Sequence, residues 1–472
     1  MAKGITVSKQ EDFSEWYTQI IQKAQLVEYT DVSGCMILRP DAFSLWESIQ
    51  QFLQSEFDKR GVRNAYFPLF IPEKLLTKEE DHVEGFAPEV AWVTHGGNSE
   101  LSERLAIRPT SETIMYDAYS KWIQSHRDLP LKLNQWVNVV RWEFKHPRPF
   151  LRTREFLWQE GHTAYSNADD AADEVQDILS VYQKCFEDLM AIPVLSGKKS
   201  AAEKFAGAEY TLSLESLFPD GKAIQACTSH FLGQNFAKAF DISFLDEDEN
   251  KQYPYQNSWG LSTRSIGVML GIHGDDRGIV LPPRIARIKA VLVPIVFSNK
   301  PDQSEKVMQK AKELCDEFGW HLDDRDNYSP GHKFAQWELK GIPLRIELGP
   351  RDLDNDQVVV ARRDSGEKQS VSFDMLQTVI PSLLEDIQQS LYDKAKAHLD
   401  SSIVEVSSVE ELQQVVDDKK IAKAVWCASV DSEARIKEAT GAKSLTSAGD
   451  VSGKCFESGE DASVMYYFGK SY

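Results

Sequence analysis

Two runs of alternating character, Val137 to Phe144 and Phe156 to Thr163, flank a polar loop that holds Pro147 and Pro149. Successive side chains on a strand point to opposite faces, so this spacing predicts a long antiparallel hairpin and, with it, an antiparallel sheet. Arg141 and Glu143 then share a face, as do Trp158, Glu160 and His162, while Arg152, Thr153 and Arg154 sit near the turn. Cations, carboxylates and an aromatic are gathered on one surface. An exposed hairpin laced with cross-strand ion pairs would use the same residues. Three further polar clusters set in apolar sequence argue for a site: Arg108-Pro109-Thr110-Ser111-Glu112, Gln225-Ala226-Cys227-Thr228-Ser229-His230 and Gly260-Leu261-Ser262-Thr263-Arg264.

The surrounding elements follow from apolar spacing. Phe43 to Lys59 repeats at helical intervals and stops at Gly61; Ala65 to Phe70 reads as a strand interrupted by Pro68; Asp169 to Met190 and Ser265 to Gly271 read as helices. Leu281-Pro282-Pro283-Arg284 is rigid punctuation, and a domain boundary is placed beside it. Beyond it, strand Lys289 to Val296, helix Glu305 to Phe318, extended Trp320 to Asp323, helix His332 to Gly341, strands Leu344 to Leu348 and Gln357 to Arg362, and a long helix alternate as in an α/β unit. The expected organisation is an α+β unit with an antiparallel sheet over 1–285, an α/β unit over 286–390, and a small α+β unit over 391–472, entered by the helix that ends near His398.

A chain of 472 residues, 42% hydrophobic and 27% charged, has the length and composition of a globular protein of several domains. Met1 to Ile20 lacks the apolar core of a signal peptide, and no stretch is apolar enough to span a bilayer. Six cysteines without framework spacing predict a reducing compartment, the cytosol. A net charge of −20 argues against indiscriminate nucleic-acid binding, yet Arg141, Lys145, His146, Arg148, Arg152 and Arg154 concentrate positive charge locally.

Gly61 to Pro68 with its preceding helix, Arg141 to Glu160, and Gly260 to Arg264 resemble, in order and spacing, the three motifs of class II aminoacyl-tRNA synthetases. Arg108 to Glu112, Trp158-Gln159-Glu160-Gly161-His162, Phe205-Ala206-Gly207-Ala208 and Leu281 to Arg284 narrow the resemblance to the prolyl-tRNA synthetases. It runs the whole chain, to Phe468-Gly469-Lys470-Ser471-Tyr472, and matches the archaeal/eukaryotic-like form, because the interval from His162 to Arg264 leaves no room for the editing insert of the usual bacterial form. Threonyl-tRNA synthetases offer a cysteine in the loop that Thr110-Ser111-Glu112 occupies here. Seryl-tRNA synthetases carry an N-terminal coiled coil and no C-terminal α/β domain.

The resemblance implies attachment of L-proline to tRNA(Pro) in two steps: ATP-dependent prolyl-adenylate formation with pyrophosphate release, then transfer to the tRNA 3′ end. An amino-acid carboxylate is already ionised at neutral pH, so the first step needs placement and charge stabilisation and no general base. By the family's pattern, Arg141 bridges the substrate carboxylate and the α-phosphate, while Arg152 and Arg264 hold the γ end of ATP, Arg264 also stacking on adenine. Glu143, Thr153 and Ser262 complete the nucleotide site, Gln225 and Thr228 hold ribose, phosphate or Mg²⁺, and Mg²⁺ neutralises the pyrophosphate. Thr110 and Glu112 accept the two N–H bonds of proline, with Glu160, His162 and His230 nearby and Trp158 and Phe205 walling the ring. For Glu112, a carboxylate at a helix N-terminus is an equal reading. Cys227 and His230 lack the second Cys/His pair that zinc requires.

The 286–390 unit resembles the class's anticodon-binding domain, with Arg345, Glu347, Arg351 and Asp352 as base readers around Gly349-Pro350. A solvated strand end is the plainer reading. The family's last domain often carries a four-cysteine zinc site and ends in a tyrosine that reaches towards the active site. Here Cys427 and Cys455 remain, Ser432 and Ser458 stand near the places of the other two, and no structural zinc is expected. The first motif implies a homodimer. A synthetase-like subunit that has lost catalysis is disfavoured because Arg141, Arg152 and Arg264 are all present. A free-standing editing hydrolase needs neither those arginines nor an anticodon domain.

Overall fold

The computed structural model describes residues 4–76, 89–143 and 146–472; Phe144 and Lys145, at the tip of the expected hairpin, lie outside them. The first long helix starts earlier than its apolar spacing suggested and spans Pro40–Lys59. Proline is well placed there, since a first-turn N–H has no helical partner to lose. Its buried face sets Phe57 5.0 Å from Trp259 and Trp46 edge-on to Trp136 at 5.6 Å, ring centre to ring centre. Each fully buried large apolar side chain contributes roughly 1.5–3 kcal/mol, so this aromatic layer fixes which side of the sheet faces inward.

The hairpin is formed by Leu131–Val140 and Glu155–Tyr165, paired antiparallel from Leu131 opposite Ala164 to Val140 opposite Glu155. Its first strand ends sooner than expected. Arg141 N still reaches Arg154 O at 2.8 Å, but Trp142 N turns to Glu89 O at 2.9 Å, and the chain leaves the ladder. Arg141 and Glu143 therefore do not share a strand face. Tyr255–Ser262 pairs with the other edge of Glu155–Tyr165, followed by Lys222–Gly233, Tyr210–Leu217 and Leu195–Lys198, all antiparallel.

The expected strand Ala65 to Phe70 is split into Arg63–Asn64 and Phe70–Pro72. Pro68 has no N–H, and the backbone around it is satisfied group by group: Ala65 N to Asn134 O at 2.8 Å, Phe67 N to Gln135 Oε1 at 3.0 Å, and Phe67 O from Arg108 Nη1 at 2.7 Å. The next long helix spans Ala168–Lys184, N-capped by Asn167, and continues through a wider π turn, Cys185–Leu189.

A second sheet runs in the order His321–Leu322, Ala290–Pro294, Leu344–Leu348, Gln357–Arg362, Lys368–Ser372. Its first three strands are parallel and the rest antiparallel, with helices Pro301–Phe318, Pro330–Leu339 and Leu376–Ser401 around it. Ile403–Glu405, Ile421–Trp426, Lys443–Lys454 and Asp461–Ser471 then pair among themselves. The last of these also joins the first sheet in parallel, Lys470 opposite Lys222 and Ser471 opposite Ala223, and Tyr472 N closes on Ala223 O at 2.8 Å. The last residues of the given chain are thereby built into the first sheet.

Candidate active site

Register across the sheet arranges side chains in rows. Leu133, His162, Ser258, His230 and Thr211 are successive partners; Gln135, Glu160, Gly260, Thr228 and Ser213 form the next row; Val137, Trp158 and Ser262 form the third. Gly260 leaves the middle of this floor bare. Behind it, the Trp259 ring lies over Gly161, where a Cβ would come within 2.1–2.2 Å of the ring. A bulge in the Lys222–Gly233 strand, opposite Leu214 and Glu215, changes its parity, so Gln225 faces the same cavity as Thr228.

The cavity encloses about 320 Å³ and brings together Thr110, Glu112, Arg141, Trp158, Glu160, His162, Phe205, Gln225, Thr228, His230, Ser262 and Arg264. Three expected members lie elsewhere. Glu143 is exposed in the turn after Val140, Thr153 is buried beside a neighbouring apolar hollow with Phe150 and Leu157, and Arg152 is exposed with its guanidinium carbon 5.2 Å from the Tyr472 ring centre. Phe156, Glu203, Thr211 and Ser258 line the cavity and were not anticipated. The signal for Phe156 was present, because it has the same parity as Trp158, Glu160 and His162.

One end of the cavity is acidic. Glu112, Glu160 and His162 are all buried, with one ligand atom from each within 4.8 Å of the others. Glu160 accepts from Ser111 N at 3.1 Å, Ser111 Oγ at 2.5 Å and Gln135 Nε2 at 2.7 Å, and faces His162 Nε2 at 3.2 Å. Burial disfavours its charge, but His162 and these donors outweigh burial and hold the carboxyl below its ordinary range. Burial likewise opposes the imidazolium of His162, and bonding to Glu160 with the charges of Glu112 and Glu160 raises it nonetheless. Thr110 donates its hydroxyl proton to Glu112, the first residue of helix Glu112–Trp122. Helix-end placement and a cavity-facing carboxylate coexist in that residue.

The signs of these shifts give a pH window. Stability from the lowered Glu160 is present above its ordinary 4.5 and is lost as pH falls through the folded value. Stability from the raised His162 is present below its ordinary 6.5 and is lost as pH rises through the folded value. The difference in melting temperature between the native chain and His162→Gln is thus expected to peak between pH 4.5 and 6.5. A maximum in alkaline solution, read by scanning calorimetry, contradicts this.

His230 behaves differently. Desolvation and the nearby His162 push it down to about 3, so it is neutral at pH 7. Its Nδ1 bonds Thr211 Oγ1 at 2.8 Å and its Nε2 bonds Thr228 Oγ1 at 2.9 Å. With both nitrogens engaged, it is poorly placed to join Cys227 in holding a metal.

The opposite end is cationic. Arg141 lies over Trp158 and Phe156, 5.2 and 5.6 Å from the ring centres, and its Nε donates to Pro109 O at 2.9 Å. Arg264 Nη1 reaches Gln225 O at 3.3 Å. Desolvation, then repulsion from Arg141 and Arg152, push Arg264 down to about 10, which still leaves it charged at neutral pH. Arg141, Arg152 and Arg264 form no ion pair among the described residues. Glu215 raises Arg264 from nearby but is itself paired with Lys199, and clustered cations outside any direct ion pair suit an anionic ligand.

Away from the cavity, Arg345 donates to Glu347 Oε1 at 2.9–3.0 Å, Lys368 reaches Glu347 Oε1 at 2.8 Å, and the Arg345 guanidinium lies over Phe334 at 4.4 Å. Arg351 is exposed nearby in sequence, whereas the Asp352 carboxylate accepts from Gly349 N at 2.8 Å and caps its own short helix, Pro350–Asp354. In the last unit, Ser432 Oγ accepts from Trp426 Nε1 at 2.9 Å and donates to Glu457 Oε2 at 2.7 Å, and Ser458 Oγ is 4.0 Å from Cys427 Sγ. Among the described residues, no helix is long and apolar enough to cross a membrane.

An antiparallel sheet that carries arginines at one end of its floor and a helix-flanked acidic pocket at the other is the core of a class II aminoacyl-tRNA synthetase. Residues 92–273 match the tRNA synthetase class II core domain (G, H, P, S and T), 289–383 the anticodon binding domain, and 409–472 the C-terminal domain of prolyl-tRNA synthetase. The cytoplasmic proline–tRNA ligase of Arabidopsis thaliana is 49% identical over 99% of this chain and 91% of its own length; the proline–tRNA ligase of Clostridium novyi (strain NT) is 49% identical over 98% and 97%. The bifunctional glutamate/proline–tRNA ligase of Cricetulus griseus is 50% identical over 93% of this chain, which spans only 30% of that relative's length. The chain belongs to the proline–tRNA ligase family.

Proposed function

We propose that this chain joins L-proline to the 3′ end of tRNA(Pro), first forming prolyl-adenylate from proline and ATP with release of pyrophosphate. The observation that carries the reading is the cavity's polarity: a cluster of two carboxylates and a histidine at one end, and at the other arginines that form no ion pair among the described residues. A zwitterionic amino acid and a polyphosphate fit that polarity in one orientation. The secondary ammonium of proline enters among Thr110, Glu112, Glu160 and His162, with the neutral His230 alongside, and its ring lies between Trp158 and Phe205. Its carboxylate then meets Arg141 beside the α-phosphate. Attack needs no base, and Arg141 stabilises the charge that builds on the phosphoryl oxygens.

Arg264 and Arg152 hold the far phosphates, while Gln225, Thr228 and Ser262 line the nucleotide's path. Arg152, Glu143 and Thr153 are assigned to the nucleotide site from sequence, and their positions outside the cavity call for movement on binding. Mg²⁺ would arrive with ATP as part of the substrate, where it would neutralise the pyrophosphate charge, and Gln225 and Thr228 would offer it oxygen ligands. Transfer of labelled proline to tRNA by the purified chain tests the whole reading. Charging with another amino acid in preference to proline overturns it.

The units 286–390 and 391–472 are read as the tRNA-anticodon and C-terminal domains. Arg345, Glu347 and Arg351 are the anticodon-facing set, joined by Lys368 and Phe334, while Asp352 serves its helix cap. Arg351→Ala is expected to lower the rate of tRNA charging about tenfold, the loss of one or two phosphate or base contacts, with pyrophosphate exchange unchanged. Equal losses in both assays contradict this division. The C-terminal unit is read as zinc-free, since the Ser432 hydroxyl is committed to Trp426 and Glu457. Atomic-absorption analysis is expected to find far less than one zinc per chain; one stoichiometric zinc contradicts it. A cytosolic homodimer completes the reading, and the exposed Tyr66, Phe70 and Trp122 near the first motif support it.

A further inference from the structure

We propose that Lys443 and Ser444 of the C-terminal unit are positioning residues for the proline subsite, an inference that rests on the proline reading above. The loop from 199 to 207 carries Phe205 into the cavity, with its ring centre 4.7 Å from that of His230. One end of the loop is held by the catalytic sheet: Phe205 N donates to Thr211 Oγ1 at 2.9 Å, the same hydroxyl that bonds His230.

The other end is held from outside. Glu203 N donates to Ser200 Oγ at 3.2 Å, the hydroxyls of Ser200 and Ser444 are 3.1 Å apart, and Ser444 donates to Glu433 Oε1 at 2.5 Å. A hydroxyl has a single proton, so the chain of bonds runs one way, from the loop through Ser200 and Ser444 to a buried carboxylate. Lys443 Nζ grips Glu203 Oε1 at 2.9 Å, and both side chains are about two-thirds buried. Close packing stiffens the base of the loop: Lys198 N donates to Ser447 Oγ at 2.8 Å, and a Cβ on Gly197 would lie 2.1 Å from Ser447 O.

Glu203 itself lines the cavity two residues before Phe205. The strand Lys443–Lys454 thus sets where that turn sits, and with it one wall of the proline ring. ATP is bound at the other end of the cavity, which none of these contacts touches. The coupling should therefore appear in the KM for proline and not in that for ATP.

Pyrophosphate exchange by the full chain, with proline and ATP varied separately, tests this. Lys443→Ala should raise the KM for proline about three- to fivefold, the range for losing one partly exposed ion pair, with the KM for ATP and kcat within about twofold. Lys443→Ala/Ser444→Ala should raise it about tenfold or more, because a buried hydroxyl loses its partner as well. Lys443→Arg should retain most of the native value. In a Glu203→Gln background, Lys443→Ala should add little, the mark of a pairwise interaction.

An unchanged KM for proline in Lys443→Ala, or equal rises for proline and ATP, overturns the inference while leaving the proline reading intact. Absence of proline-dependent exchange in the native chain overturns both. Should the double variant fail to fold, Lys443→Ala and its cycle with Glu203→Gln decide alone.

Discussion

Arg141→Ala is expected to lower proline-dependent pyrophosphate exchange a thousandfold or more, the scale seen when a preorganised transition-state donor is removed. Arg141 is poised for that role. Its Nε is tied to Pro109 O at 2.9 Å, its guanidinium carbon lies 5.2 and 5.6 Å from the ring centres of Trp158 and Phe156, and it forms no ion pair with a described carboxylate. It lines the cavity together with Glu112, Glu160, His162 and Arg264. The cost to the fold should be small, since the side chain is only half-buried and its protein partner is one carbonyl. Arg141→Lys keeps the charge but not the planar fork, and should recover only part of the rate. Single-turnover measurement of adenylate formation, alongside a melting curve, checks both; a loss below about tenfold would place the catalytic charge elsewhere.

Glu160→Gln is expected to damage both folding and proline binding. The carboxylate accepts from Ser111 N, Ser111 Oγ and Gln135 Nε2 and faces His162, all in buried surroundings. An amide of the same shape must turn N–H donors towards donors, and it leaves a raised histidine without its counter-charge. Together these changes should cost about 2–4 kcal/mol of stability. The acidic end also loses one of its two carboxylates, so the KM for proline should rise at least tenfold, about 1.4 kcal/mol. Denaturant titration and exchange kinetics read the two effects separately. A variant of native stability and native KM would remove Glu160 from the site.

Much of this was legible in the residues. The alternation through Trp158, Glu160 and His162 predicted a strand face, and that face is the cavity floor, because a strand buried against helices on one side cannot slip register without turning Trp259 and Trp136 outward. Leu344 to Leu348 and Gln357 to Arg362 have the expected bounds for the same reason: each is an apolar run between polar turns. The family and the class of fold followed from order and spacing of motifs, and the relatives agree.

What could not be read was set by contacts distant in sequence. Nothing near Trp142 announces that its N–H will be taken by Glu89, yet that bond ends the strand and moves Glu143 out of line. Nothing near Gln225 signals a bulge, although the odd spacing to Thr228 required one for both to face the cavity. The capping role of Asp352 was encoded locally, three residues after Gly349, and a helix-start reading of Gly349-Pro350 would have found it. Glu203 lines the cavity and pairs with Lys443, a partner far along the chain that nothing near Glu203 announces.

The most direct test is ATP–pyrophosphate exchange by the purified chain against a panel of amino acids. Proline should support exchange strongly. Alanine and cysteine, small enough for a largely apolar ring pocket to reject poorly, should support a weak background. Exchange driven by a different amino acid, with none for proline, would contradict the assignment of the acidic end of this cavity to the proline ammonium.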